Sequence, residues 1–320
     1  MKTTELVSAA TTCQTQSTKP NLPQTPIAQI LDFDTDHQIK QILPQSIHFI
    51  SGLPRSGSTL LAALLRQNPR FHAGMTSAVG ELVSCLLERM SNSEGAIFIS
   101  PEQKRDILQS LFAAYYRHSV EEQQLIFDTN RLWCSKLPLI SELFPESKIV
   151  CCVRNVAWIM DSLERLVRRN ALEVSGLFNH QENFTVYSRT EALSKGDRLV
   201  GFAYNALKEA FYSEQGNKLL LVDYELLTRC PADTLNLIYQ FLGEEPFEHN
   251  FEQVEYDEPE FDARLRTPGL HKVNRRVEFI PRRTVLPPDL FDRYSKLSFW
   301  TDQTNSLSNV LRFNPVKQKS

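Results

Sequence analysis

Hydrophobic residues are grouped along the chain in short continuous runs, each followed by a stretch with helical spacing. The runs "SIHFIS" (46–51), "KIVCCVR" (148–154) and "KLLLVDYE" (218–225) are typical of strands that are buried on both faces of a parallel sheet. They are followed by "STLLAALLRQ", "AWIMDSLERLVRR" and "CPADTLNLIYQFLG", in which apolar residues recur as they do on one face of a helix. This alternation predicts an α/β fold with a central parallel sheet flanked by helices.

Another helix is predicted to begin at Pro101, because Ser100 is suited to cap it and Gln103 to complete a capping box. Five residues at helical spacing form the predicted buried stripe of this helix: Ile107, Leu108, Leu111, Phe112 and Tyr115. The polar segment 178–198 is predicted to be a surface loop, with a cover over a site as the alternative.

The N-terminal part differs in composition from the rest of the chain. Residues 1–26 are rich in Thr, Gln, Ser and Pro, which bury too little apolar surface to fold, and a short helix is predicted around 27–42. We therefore predict a flexible tail over 1–44 and one folded domain over 45–320. We find no secretory-signal pattern and no apolar run of about 18 residues. The six cysteines have no zinc-like spacing, so we expect a cytoplasmic protein without a membrane span.

The segment "GLPRSGST" (52–59) fits the phosphate-loop pattern G-x-x-x-x-G-K-[ST] except at its lysine, where this chain has Ser58. It stands between a predicted strand and a predicted helix, where backbone N–H groups and the helix dipole form a cradle for an anion. Arg55 offers a cation within the loop. We predict that a phosphate-like group contacts the loop residues Pro54, Arg55, Ser56, Gly57, Ser58, Thr59 and Leu60.

The residues that follow the neighbouring strands help to decide which class of phosphate-loop protein this chain resembles. A Mg²⁺-dependent nucleotide kinase or NTPase needs an acidic residue after a neighbouring apolar strand to help hold the metal. The strand predicted over 148–153 is followed instead by Arg154, which indicates a second anion. Because Asp223 and Glu225 follow the third strand, a Mg²⁺-dependent enzyme stays open as the alternative.

Two motifs, "PRSGSTLL" and "CCVRNVAWIMDSLERL", resemble the sulfotransferases that use 3′-phosphoadenosine 5′-phosphosulfate (PAPS), and among them the tyrosylprotein and bacterial branches. The resemblance runs from about residue 47 to about residue 243 and implies a P-loop NTPase-like three-layer sandwich. It implies that the loop wraps the 5′-phosphosulfate and that Arg154 and Ser162, eight residues apart as in the family, bind the 3′-phosphate. Tyr224 matches a family tyrosine that lies close to the nucleoside.

The resemblance implies an enzyme that transfers a sulfonate group from PAPS to a hydroxyl acceptor, or alternatively an amine. It would release adenosine 3′,5′-bisphosphate (PAP) and need no metal. The expected acceptor is a small molecule or a peptide, and a homo-oligomer is left open. The net charge of −3 provides no overall attraction to nucleic acid, so no such partner is expected. Two rival functions stay open, the Mg²⁺-dependent kinase or NTPase and a non-catalytic nucleotide-binding module.

The residues that would carry out the transfer are less clearly marked than those that would hold the donor. By analogy with phosphoryl transfer, Arg55 is expected to neutralise the leaving phosphate. The glutamate base of the tyrosylprotein branch corresponds to Thr76, which cannot act as a general base, and this departure keeps the non-catalytic module open. Glu81, five residues further on, is one candidate base. Lys136 stands in "KLP" where the cytosolic branch has the histidine of "HLP". It could stabilise the transferring group or the leaving oxygen, and it would need a lowered pKa to accept a proton.

The segment "TPGLHKV" (267–273) adds two candidates after a Pro-Gly turn. His271 is a further candidate base, because an imidazole changes its charge near neutral pH. Lys272 is expected to contact the donor, as C-terminal basic segments do in the family. Arg131 in "DTNRLW" is another cation for the sulfonate, with a salt bridge to Asp128 as the alternative.

Overall fold

The computed structural model describes residues 47–122 and 124–313. The tail predicted over 1–44 and the helix predicted around 27–42 lie outside the described residues. The strands are β1 (Ile47–Gly52), β2 (Phe71–Ala73), β3 (Leu125–Thr129), β4 (Ile149–Val153), β5 (Leu219–Asp223) and β6 (Asn309–Leu311). They form a six-stranded sheet in the order β2-β3-β1-β4-β5-β6, and all neighbouring strands are parallel.

Helices connect and flank these strands. They are α1 (Ser58–Leu65), α2 (Val79–Asn92), α3 (Pro101–Tyr115), α4 (Arg117–Glu121), α5 (Leu137–Leu143), α6 (Val156–Arg169), α7 (Val186–Ser194), α8 (Leu199–Phe211), α9 (Tyr224–Arg229), α10 (Pro231–Leu242), α11 (Pro259–Arg264) and α12 (Pro288–Ser295). A 3₁₀ segment, Arg131–Lys136, follows β3. Within the described ranges, no helix has the length and apolar character needed to cross a membrane.

Strand residues alternate between two hydrophobic clusters, one on each face of the sheet. Phe49 and Cys151 belong to the cluster that includes residues of α2, α3, α6 and α8, whereas Ile50 and Cys152 belong to the cluster that includes residues of α1 and α10. All four side chains are fully buried, which explains why these strands are continuous apolar runs. The predicted three-layer sandwich with a central parallel sheet is confirmed.

The strand register brings the functional loops to one edge of the sheet. Ile50 lies opposite Thr129, Gly52 lies opposite Cys152, and Val153 lies opposite Asp223. Because the strands are parallel, the loops after β1, β3, β4 and β5 emerge side by side at their carboxyl ends. Open α/β sheets bind ligands at this edge.

The helix predicted from Pro101 is α3, and its capping box is formed. The prediction of which residues of this helix are buried is partly wrong. The helix packs into the core through Leu108 and Phe112, whereas Ile107 and Tyr115 are 41% and 47% exposed. The buried face is therefore narrower than the apolar stripe, and Tyr115 lines the cavity described below.

The prediction of a surface loop over 178–198 is also wrong, because this segment contains α7. Thr185 and Ser188 form a capping box at its N-terminus, and Thr190 and Leu193 are buried. Tertiary packing thus stabilises a helix in a sequence that is polar overall. No residue of 178–198 is among those that line the cavity within the described chain, so the alternative of a cover over the site is not supported.

Gly52, at the end of β1, provides a direct test of this packing. Its φ is 105°, and a Cβ atom there would lie 2.3 Å from the carbonyl oxygen of Cys152. We expect Gly52→Ala to lower the free energy of unfolding by about 3 kcal/mol or more, because backbone strain and overlap with β4 each cost about 1–3 kcal/mol. Denaturant unfolding measures this loss. Gly95→Ala is the control, since no atom lies within 4 Å of its added Cβ, and equal stability of the two variants would contradict the packing.

Candidate active site

A large cavity opens at the carboxyl edge of the sheet, between the loops that follow β1, β3, β4 and β5. Its volume is about 1210 Å³, which exceeds the roughly 300–1000 Å³ of sites that bind one drug-sized molecule. The chain leaves β1 toward β2 and leaves β4 toward β5, so the neighbours β1 and β4 form a switch point. Ligands bind at such a point in open α/β sheets. The cavity thus has the position and size to hold a nucleotide and a second molecule.

The cavity wall carries far more positive than negative charge. Its described lining contains eight cationic side chains and two acidic ones, Glu81 and Glu278. The cationic residues are Arg55, Arg131, Arg154, Arg169, Arg264, Lys272, Arg276 and Arg282. Because the whole chain has a net charge of −3, this concentration is local. A cleft lined by one sign of charge attracts ligands of the opposite sign, so this cavity suits a ligand with several negative charges.

The loop between β1 and α1 is shaped by three residues with left-handed backbone conformation. The φ angle is 105° at Gly52, 57° at Arg55 and 101° at Gly57. A Cβ atom at Gly57 would lie 3.1 Å from the Tyr224 ring, and Gly57 caps α1 without a side-chain hydrogen bond. The first N–H groups of a helix have no acceptor within the helix. Residues 58–60, which carry those groups, line the cavity.

Ser56 differs from the other predicted loop residues because it is absent from the described cavity lining, whereas Pro54 and Arg55 are part of it. Its side chain is fully buried. The Ser56 Oγ donates to the carbonyl oxygen of Cys152 at 2.8 Å and also contacts that of Leu53. The hydroxyl therefore attaches the loop to β4.

Four of the predicted donor-binding residues, Arg55, Arg154, Ser162 and Tyr224, meet at the switch point. The Nε of Arg55 donates to the Oγ of Ser162 at 3.1 Å, and the same guanidinium donates to the carbonyl oxygen of Leu270. The guanidinium of Arg154 stacks on the Tyr224 ring, with its Cζ 4.2 Å from the ring centroid. Arg154 also donates to the carbonyl oxygen of Arg55 at 3.5 Å. The two arginines are thus adjacent rather than on separate surfaces.

Arg154 forms no salt bridge with any of the described residues. The two carboxylates nearest to it in α6 are engaged elsewhere, since Asp161 pairs with Arg282 at 2.8 Å and Glu164 pairs with Arg189 at 2.8 Å. Burial and the neighbouring positive charges lower the pKa of Arg154 to about 10. A bound anion would reverse this shift, because it stabilises the charged form.

Arg282 is a cavity cation that the sequence did not reveal. The fully buried Asp161 accepts hydrogen bonds from the hydroxyl of Thr284 at 3.1 Å and from the N–H of Val285 at 2.7 Å, besides its ion pair with Arg282. These contacts attach the segment 282–285 to α6. No local motif marks Arg282, because its position depends on contacts between residues more than a hundred positions apart.

A second polar group lies at the end of β3, on the other side of β1. Arg131 is exposed in the cavity, and its alternative salt bridge with Asp128 is not formed. The buried Asp128 instead accepts hydrogen bonds of 2.6–2.7 Å from Ser77, Tyr116 and Trp133. Thr129 also borders the cavity, but its hydroxyl is buried and has no hydrogen-bond partner among the described residues. The exposed Arg131 is therefore the side chain of this group that can contact a ligand directly.

The residues considered for catalysis differ in how they relate to the cavity. Glu81 is exposed in the first turn of α2 and lines the cavity beside Thr76. Lys272 lines it too and is exposed. Lys136 ends the 3₁₀ segment, occupies the N-cap position of α5 and is absent from the described lining. The structure therefore does not bring Lys136 to the other candidates.

His271 lines the cavity and is held by a buried carboxylate. Its Nδ1 lies 2.6 Å from Oδ1 of Asp262, and its backbone N–H donates to Oδ2 of the same residue at 3.0 Å. Burial lowers the pKa of His271 from its usual 6.5; the hydrogen bond to Asp262 opposes this shift, and the charges of Arg131 and Arg55 add to it. The imidazole is therefore neutral near pH 7 and able to accept a proton.

The acids that would favour a metal-dependent enzyme have other roles. Asp223 is the N-cap of α9 and accepts from the N–H groups of Glu225 at 2.8 Å and Leu226 at 3.3 Å. Glu225 pairs with Arg229 at 2.8 Å. Neither acid is in the described cavity lining, and the described ranges contain no group of three or more His, Cys, Asp or Glu residues that could hold a metal ion.

The family model and two relatives that match this chain are all named for sulfotransferase activity. A model of the Sulfotransferase family matches residues 48–249. Protein-tyrosine sulfotransferase 2 of Gallus gallus is 26% identical over 202 residues, which cover 61% of this chain and 50% of that protein. Protein-tyrosine sulfotransferase 1 of Danio rerio is 24% identical over 201 residues, which cover 61% and 52%. The chain spans about half the length of the curated relatives it matches.

Solved structures that resemble this chain also include sulfotransferases. The sulfotransferase domain of the Synechococcus PCC 7002 olefin synthase has a TM-score of 0.46 and 19% identity, covering 79% of this chain and 94% of that one. A sulfotransferase from Alicyclobacillus acidocaldarius has a TM-score of 0.45 and 16% identity, covering 69% and 90%. The family match itself extends over more than half of the chain and includes the loop after β1, Arg154, Ser162 and Tyr224. This protein belongs to the sulfotransferase family.

Proposed function

We propose that this protein transfers a sulfonate group from PAPS to a hydroxyl acceptor, or alternatively to an amine, and releases PAP. The observation that carries the proposal is the contact of Arg55 with Ser162 and of Arg154 with Tyr224 at the switch point. No carboxylate pairs with either guanidinium within the described residues. PAPS carries two separated anionic groups, and this pocket offers two adjacent cations beside a loop with left-handed backbone.

Each part of the pocket fits one part of the donor. The N–H groups of residues 58–60 and the guanidinium of Arg55 would bind the 5′-phosphosulfate. Arg154 and Ser162 would bind the 3′-phosphate, with the charge of Arg282 close by, as its effect on Arg154 indicates. Tyr224 would lie against the nucleoside, and Lys272 would contact the donor at the cavity wall.

The transfer needs charge stabilisation at one oxygen and removal of one proton. The acceptor oxygen forms a bond to sulfur while the bond between sulfur and the bridging phosphate oxygen breaks, and that oxygen keeps the electron pair. Arg55 and the N–H groups at the start of α1 would stabilise the negative charge that develops there. The proton of the acceptor hydroxyl would pass to a general base of the protein.

His271 is the base that the geometry supports best. It lines the same cavity as Arg55, the pKa of its imidazole is lowered, and Asp262 holds its Nδ1. Glu81 is the other candidate that borders the cavity, but it is exposed at the start of α2. The acceptor would enter on the β3 side, where the exposed Arg131 offers a polar contact.

The first test concerns donor binding. We expect Arg55→Ala and Arg154→Ala each to raise the Kd for PAP by at least about 30-fold, because each removes charge-assisted hydrogen bonds worth about 2 kcal/mol or more. Isothermal titration calorimetry measures the affinity. Lys136→Ala removes a positive charge outside the described cavity lining and should change the Kd by less than about twofold. Unchanged affinity in both arginine variants would defeat the proposal.

The second test concerns the base. We expect His271→Ala to slow PAPS turnover by about 10²- to 10⁴-fold with an almost unchanged Kd for PAP, and Glu81→Gln to stay within a few-fold of the parent. Turnover is measured with a panel of phenols, alcohols, amines and tyrosine peptides. The opposite pattern would assign the base to Glu81. PAP binding by the parent without turnover on the whole panel would favour the non-catalytic module.

The pH profile of the parent adds a third test. A protonated imidazole cannot accept a proton, so the rate should fall as the pH drops through the pKa of His271. Because burial lowers that pKa from 6.5 in the free protein, the acid limb of kcat/KM for PAPS, which reports groups of the free enzyme, should have its midpoint below pH 6.5. A midpoint above pH 6.5, or a profile that is the same in His271→Ala, would contradict His271 as the base.

A further inference from the structure

The contact between Asp262 and His271 can do more than stabilise the local fold. Both oxygens of one carboxylate are used by one residue, Oδ1 by the imidazole and Oδ2 by the backbone N–H. The Asp262 side chain is 1% exposed and that of His271 is 15% exposed. The centroid of the Phe261 ring lies 5.4 Å from that of the imidazole, in an edge-to-face arrangement. The imidazole is therefore restrained by its contact with Asp262 at Nδ1 and by packing against an aromatic ring.

This contact also fixes where the proton of the imidazole sits. A carboxylate accepts hydrogen bonds only, so the neutral imidazole must carry its proton on the Nδ1 that faces Asp262. Nε2 then keeps a free lone pair. Because Nδ1 is turned toward a buried carboxylate while the ring lines the cavity, Nε2 is the nitrogen available to a ligand.

We infer that Asp262 is a positioning residue that holds His271 in the Nδ1–H tautomer with Nε2 ready to accept a proton in the cavity. The inference rests on the proposed sulfonate transfer for its functional meaning. Asp262 does not touch the reacting groups itself and acts through the imidazole. Outer carboxylates that hold a catalytic or metal-binding histidine have this effect on other scaffolds.

Other contacts anchor the same segment without the Asp262 carboxylate. The N–H of Thr267 donates to the backbone carbonyl of Asp262 at 3.0 Å, and the hydroxyl of Thr267 contacts that of Ser175 at 2.8 Å. The N–H of Gly176 donates to the carbonyl oxygen of Leu265 at 3.2 Å. A change confined to the carboxylate therefore leaves three attachments of the segment 265–271 in place.

Asp262→Asn separates positioning from anchoring. An amide has one acceptor and one donor end, and only the imidazole can adapt to it by moving its proton. The amide oxygen should stay on the backbone N–H of His271, while the amide NH₂ should face Nδ1 and force the proton onto Nε2. We expect kcat for PAPS turnover to fall by about 10- to 10⁴-fold, with the Kd for PAP within about threefold. Glu260→Gln, an exposed acid on the same helix, is the control and should leave both unchanged.

The double variant shows whether Asp262 acts through the histidine. In the His271→Ala background, Asp262→Asn should lower kcat by less than about twofold further, because the imidazole through which Asp262 acts is gone, while the backbone N–H of residue 271 can still donate to the amide oxygen. A full additional loss would mean that Asp262 only supports the fold, and it would overturn the inference. An Asp262→Asn kcat equal to that of the parent would do the same.

Nitrogen-15 NMR of the histidine-labelled parent tests the tautomer directly and needs neither a variant nor an acceptor. The neutral ring of His271 should carry its proton on Nδ1, and Asp262→Asn, where it folds, should move that proton to Nε2. A neutral parent ring with its proton on Nε2 would overturn the inference. If the parent turns over no PAPS, the proposed function fails, while the spectrum still reports whether Asp262 controls the imidazole.

Discussion

Positive charge without carboxylate partners at the β1–β4 switch point is the constraint on which this site depends. Taking guanidinium groups out of water costs free energy unless they are paired, yet Arg55 and Arg154 form no ion pair with any described residue. The sheet, buried on both faces, offsets that cost. The loop after β1 can approach β4 and Tyr224 closely, because Gly52 and Gly57 have no Cβ atom that would contact them. A polyanionic ligand would relieve the repulsion and thereby stabilise the fold.

The parts of the fold that depend on local sequence could be predicted from it. β1, β4 and β5 are continuous apolar runs because both of their faces are buried, and α1, α6 and α10 follow them with clear helical spacing. β3 was missed because its five residues include Asp128, whose burial depends on hydrogen bonds from side chains elsewhere in the structure. β2 and β6 have three residues each, too few for a periodic signal.

The residues of the site also divide into those that the sequence predicts and those that it does not. Arg55 lies in a loop flanked by Gly52 and Gly57, and the family resemblance marks Arg154 at the end of β4 and Ser162 within α6, so these three residues could be predicted as site residues. The hydrogen bond from Arg55 to Ser162 is seen only in the structure. Arg282 could not be predicted, because its position depends on a long-range ion pair with Asp161. Asp262 is close to His271 in sequence, but no motif marks the two residues as a pair. The "KLP" motif suggested Lys136, but the 3₁₀ segment after β3 places this residue at the start of α5, outside the described cavity lining.

We propose that Arg154 recognises the 3′-phosphate of the nucleotide, and a thermodynamic cycle of two nucleotides and two proteins is the sharpest experiment on this contact. Calorimetry would compare the affinities of the parent and of Arg154→Ala for PAP and for adenosine 5′-monophosphate, which lacks the 3′-phosphate. We expect the parent to prefer PAP by at least about 30-fold, or about 2 kcal/mol, and the variant to lose most of this preference. If the variant discriminates between the two nucleotides as well as the parent does, Arg154 does not recognise the 3′-phosphate.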